Sequence, residues 1–153
     1  MRKLWYRSPV SACALSLVVT AAFTGCGSSE PGLVPVKGKI TLDGGPFPKE
    51  GMINFTGASA ADPNAPSRPG SAKFGTDGVF SAMSFEPGDG LYPGTYKLAV
   101  ECQDAPPTIA NDGRMIGGKN LIPAKFQNAE TSGLTLTVPA DGVKDAIIDV
   151  KTK

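Results

Sequence analysis

The sequence predicts an all-β domain, a single antiparallel β-sandwich of about seven strands, and three observations predict it. Short runs of alternating apolar and polar residues recur along the chain, and no segment sustains the 3.6-residue apolar period of a helix longer than two turns. The 19 Gly and 14 Pro exceed ordinary usage, which favours frequent turns over long helices. Five Asp-Gly pairs, at 43–44, 77–78, 89–90, 112–113 and 141–142, supply the positive φ that tight turns between strands require.

The first element is a targeting segment. Met1 to Arg7 carries three positive charges, and Val10 to Thr24 is an uncharged, mostly apolar run, the n-region and h-region of a signal peptide over residues 1–25. A membrane-spanning helix needs about 20 apolar residues, and Gly25, Gly27, Ser28, Ser29, Glu30 and Pro31 end this run early. The segment closes on Phe23-Thr24-Gly25-Cys26, which resembles the lipobox of bacterial lipoproteins, with Phe23 where that motif usually has Leu. The resemblance implies that the Cys26 thiol receives a diacylglyceryl group and that cleavage before it makes Cys26 the first mature residue. Two acyl chains at about 0.8 kcal/mol per buried CH₂ hold stably where one is marginal, so the implied partner is the membrane itself. Residues 26–33 are then the lipidated cysteine and a flexible polar tether, and residues 34–153 the domain. The implied location is the cell envelope, and Gly27 rather than Asp after the cysteine points to the outer membrane or a periplasm-facing leaflet.

Within the domain, alternation predicts strands at 34–42, 51–57, 71–76, 79–85, 94–102, 133–138 and 145–150. The clearest is 94–102, where Tyr96, Leu98, Val100 and Cys102 share one face and Thr95, Lys97, Ala99 and Glu101 the other; the first set faces the core. Leu134, Leu136 and Val138 repeat this arrangement, as do Val34, Val36, Ile40 and Leu42. Two long connections remain, 58–70 and 103–122. Connections longer than about 12–15 residues are commonly functional or disordered. The second is the candidate contact surface, because Arg114, Met115, Ile116 and Lys119 set cations beside exposed apolar atoms among flexible glycines.

Several stretches in order resemble the transthyretin-like or carboxypeptidase-regulatory-like β-sandwich modules, which also have an Ig-like architecture, found in lipoproteins of planctomycete-type bacteria. The residues that carry the likeness are Val36-Lys37-Gly38-Lys39-Ile40 followed by Asp43-Gly44-Gly45-Pro46, Ile53-Asn54-Phe55, Thr76-Asp77-Gly78-Val79-Phe80, Leu91-Tyr92-Pro93-Gly94-Thr95-Tyr96, and Ile122-Pro123-Ala124-Lys125-Phe126 leading to Thr131-Ser132-Gly133-Leu134. The likeness implies a fold and no catalytic residue, since such sandwiches host many functions.

The chemistry points away from catalysis. There is no histidine, which removes Ser-His-Asp and Cys-His schemes and the commonest transition-metal ligand. No glycine-rich phosphate-binding motif follows a strand, and the Asp-Gly pairs do not fall in a calcium-loop spacing, so neither cofactor nor metal is expected. With Cys13 in the signal and Cys26 lipidated, Cys102 is a lone inward thiol without a base. The formal net charge is +1, but Arg2, Lys3 and Arg7 lie in the signal, leaving 12 basic against 14 acidic residues, interspersed; nucleic acid is not an expected partner. The expected role is a non-catalytic structural or protein-interaction module of the envelope. The alternative is a module binding carbohydrate or another envelope ligand, disfavoured because the one Trp, Trp5, lies in the signal.

Overall fold

The computed structural model describes residues 32–60 and 68–152. Among them run strands β1 (Val36–Leu42), β2 (Gly51–Ala60), β3 (Gly70–Phe74), β4 (Val79–Ser81), β5 (Gly94–Cys102), β6 (Thr108–Ile109), β7 (Met115–Ile116), β8 (Thr135–Val138) and β9 (Val143–Val150). A 3₁₀ turn (Ala124–Gln127) and a one-turn helix α1 (Ala129–Ser132) precede β8. The all-β class predicted from alternation is therefore the class observed, and every strand predicted at 34–150 has its counterpart.

Seven strands form one mixed sheet in the order β8-β5-β2-β3-β4-β1-β9, with β6 and β7 as a separate two-stranded ribbon. The arrangement departs from the antiparallel expectation at one place: β9 lies parallel to β1, pairing Ile40 with Ile148 and Leu42 with Val150. Only the four residues 139–142 separate β8 from β9, yet these two strands occupy opposite edges. So short a connection is satisfied only by a sheet curled until its edges approach, which makes it nearly closed around the core. Gly38 permits the close approach of β1 to β9, because a Cβ there would sit 2.2 Å from the Ala146 carbonyl oxygen, beside the register shift between Val36 and Gly38.

The faces follow the period of two. Tyr96, Leu98, Val100 and Cys102 are buried, and Ile53 and Phe55 of β2, Ala72 and Phe74 of β3, Ile40 of β1 and Ile148 and Val150 of β9 meet them in one core. Phe55 stacks edge-on against Tyr96 at 6.2 Å, and Phe47 packs against Phe74 at 4.7 Å. The Tyr96 hydroxyl donates to the Tyr92 carbonyl at 2.8 Å, closing the Pro93-Gly94 corner at the start of β5. The five Asp-Gly glycines all adopt positive φ, from 76° at Gly78 to 101° at Gly90, as turn chemistry requires.

The register also gives the domain two distinct ends. At the near end, just before β1, Val34 and Leu91 exchange backbone hydrogen bonds and Val143 donates to the Pro35 carbonyl. At the far end lie the Leu42–Gly45 turn, Gly51, Phe74 and Cys102, with Gly51 opposite both Phe74 and Cys102. Strand β5 runs from near to far, since Gly94 pairs with Ala60 and Val138, and Cys102 with Gly51.

Candidate functional site

The connection 103–122, expected as a loop, is built as a long hairpin that continues β5 beyond the far end. Leu121 donates to the Cys102 carbonyl, Asp104 to the Lys119 carbonyl and Ala110 to the Arg114 carbonyl, so backbone bonds recur along its length. At its tip β6 and β7 pair Thr108 with Ile116 and Ile109 with Met115, around a turn holding Asp112-Gly113. The other long connection is also shorter than expected, because β2 continues through residues 58–60 before the stretch 61–67 outside the described residues.

Arg114, Met115 and Ile116 therefore sit on one small ribbon. Met115 and Ile109 are each 75% exposed and directly paired, and Ile116 is 57% exposed. Arg114 leans back on Asp112, its Nε donating to Oδ2 at 2.7 Å while its backbone N–H donates to Oδ1 at 3.1 Å. That pair holds the Asp112 carboxyl below the usual carboxylate range. Lys119 is placed differently: its backbone N–H donates to Asp104 Oδ1 at 2.7 Å, so it belongs to the stem. Ile109 is the partner the sequence reading left out. Its signal was present in the apolar residues flanking Asp112-Gly113, but Pro106, Pro107 and the glycines obscured a strand two residues long.

Beside the stem lies a groove of about 520 Å³. Its floor is the outer face of three strands, where Lys73, Met52 and Glu101 stand in one row across β3, β2 and β5. Asn54 Nδ2 donates to Glu101 Oε1 at 3.4 Å, and Ala105, Pro106 and Pro107 form a wall. An apolar methionine between a cation and an anion, beside a proline wall, suits an extended peptide laid across the strands.

Cys102 lies beneath this region, fully buried, its Sγ directed to the Lys49 carbonyl at 3.6 Å. Burial pushes its thiol up, outweighing that hydrogen bond. Among the described residues no three His, Cys, Asp or Glu side chains converge to hold a metal. Cys26, the predicted lipidation site, lies outside the described residues.

No family model matches the chain. No curated protein matches it either. Among solved structures, a 9R-lipoxygenase from Cyanothece PCC8801 is similar over 80% of this chain at 14% identity and a TM-score of 0.32. This chain spans 16% of that protein, and a likeness so slight carries no argument.

Proposed function

We propose that the chain is an envelope lipoprotein, tethered through lipid on Cys26, whose β domain is a non-catalytic protein-interaction module of transthyretin-like sandwich type. The observation that supports this reading is the polarity of the domain: Val34, which follows the segment read from the sequence as a tether, lies at one end, and the ribbon of Ile109, Met115 and Ile116 at the opposite end. A module anchored at one end and apolar at the other is arranged to meet a partner away from its point of attachment. The sandwich part of the reading is supported by the Tyr96–Tyr92 corner and by core side chains from β2 and β5 facing those from β1 and β9. The groove favours a peptide over a sugar, since its one aromatic lining residue, Phe74, is buried.

The anchoring part is tested with Cys26→Ala in cells fed a labelled fatty acid. The wild type incorporates label and is cleaved; the variant accumulates as an unlabelled precursor. Equal label in both chains, or cleavage indifferent to the substitution, overturns the reading.

A further inference from the structure

Two exposed apolar side chains stand on the sheet itself, Val79 at 59% and Ile147 at 81% exposure. The register sets them in one row, for Lys39 of β1 pairs with Val79 of β4 on one side and with Ile147 of β9 on the other. Around that row is a shallow hollow of about 700 Å³ whose charged lining residues are Lys37, Lys39, Lys144 and Asp145, with the Ser81 side chain among them. Three cations face one anion. Among the described residues the ion pairs are Lys97–Glu130 and Arg114–Asp112, so none of these three lysines is neutralised by a carboxylate in contact. Further along β9, Asp149 accepts from Thr41 Oγ1 and the Gly44 N–H and has Lys151 beside it, which leaves the cationic excess intact.

A cluster of lysines around two aliphatic side chains has the chemistry of a surface that rests on anionic lipid: ammonium groups meet the headgroup phosphates and the aliphatic tips settle at the headgroup boundary. Position selects the bilayer as the occupant. Strand β1 begins at Val36, ten residues after Cys26. Ten residues of chain reach at most about 35 Å when fully extended, so on the tethered reading a membrane holding Cys26 stays near this face. The groove and the ribbon belong to β2, β3, β5 and the far end, and are left uncovered by such contact.

We infer that the outer face of β1, β4 and β9 is where the domain lies against the anionic surface of the bilayer that carries it. This rests on the tethered reading and adds an orientation to it. Each lysine near an anionic surface contributes roughly a fivefold preference, so losing all three lowers the contact equilibrium on the order of a hundredfold.

The test uses the full chain, purified from membranes and reconstituted on vesicles of phosphatidylcholine alone or mixed with phosphatidylglycerol. Lysine acetylation is followed residue by residue with peptide mass spectrometry. On the anionic vesicles Lys37, Lys39 and Lys144 react several-fold more slowly than on neutral ones, while Lys49, Lys73 and Lys119 react equally on both. In 1 M salt, where screening acts within about 3 Å, the difference disappears. Ile147→Asp, at an exposed position that leaves the core intact, weakens the protection. A chain bound to both vesicle types with identical footprints overturns the orientation and leaves the tether standing. A chain recovered in the soluble fraction, binding neither vesicle, overturns both.

Discussion

Leu98 and Lys97 are neighbours on β5 with opposite surroundings. Leu98 is fully buried in the core, whereas Lys97 points outward to an exposed ion pair with Glu130. Leu98→Ala should cost about 2–5 kcal/mol through lost burial and the cavity left behind. Lys97→Ala should stay within about 0.5 kcal/mol, since exposed ion pairs contribute little. Denaturant titration of the two variants decides it, and equal losses would refute the assigned faces. Asp89 shows a residue whose work the sequence did not reveal. Its carboxylate accepts the N–H groups of Ser84, Phe85 and Glu86, each at 2.8 to 2.9 Å. Burial raises its pKa, but these bonds outweigh burial and the net shift is below the ordinary 3.8. A depressed folded pKa gives stability that is present above the unfolded value and lost as pH falls through the folded one. Asp89→Asn should therefore lower the melting temperature at pH 7 and reduce the loss of stability on acidification below about pH 4. A variant whose acid limb matches the wild type would show that Asp89 does not hold this turn. Period-two alternation made the inward face of β5 legible; the triple acceptance by Asp89 depends on turn geometry that residue order alone does not express.

The ribbon of β6 and β7 is the element where reading and structure differ most. Alternation needs several residues to register, and Thr108–Ile109 and Met115–Ile116 offer two each. What was legible was the turn at Asp112-Gly113 and the company of Arg114, Met115 and Ile116; what was not was that backbone bonds along the stem would order the whole connection. An isolated two-stranded hairpin is marginal in water, and every residue from Asn111 to Gly117 is exposed. Few core contacts depend on it. Replacing 112–119 with a Gly/Ser linker should shift the melting temperature by no more than about 3 °C, as expected of surface changes within about 0.5 kcal/mol. The same replacement should abolish cross-linking of any envelope partner that the wild type captures through a photoreactive group at Met115. A drop of 10 °C or more would show the ribbon to be structural, and capture that survives in the replaced chain through a group at Met52 would move the contact to the groove.

At the scale of the whole molecule, the first described strand, β1, is closed by the last, β9. Parallel pairing of β1 with β9 was not legible, because strand order records which segments are extended and not which edges meet. The structure explains the choice: Ala146, Ile148 and Val150 are buried in the core that Val36 and Ile40 share. Two carboxylates lock the far end, Asp149 on Thr41 and Gly44, and Asp43 on the N–H and hydroxyl of Thr152. A contact joining the two ends of the domain has high sequence separation and is closed against the entropy of the whole intervening loop. A chain ended after Gly142 lacks β9, exposes the inner side of β1 and removes three core side chains at once. It should lose its cooperative thermal transition and be cut rapidly by protease, whereas Ile147→Ala in the full-length chain, at an exposed position of the same strand, should melt within about 0.5 kcal/mol of the wild type. A truncated chain that still melts cooperatively would show that β1 to β8 fold on their own and that β9 is an addition to a finished sheet.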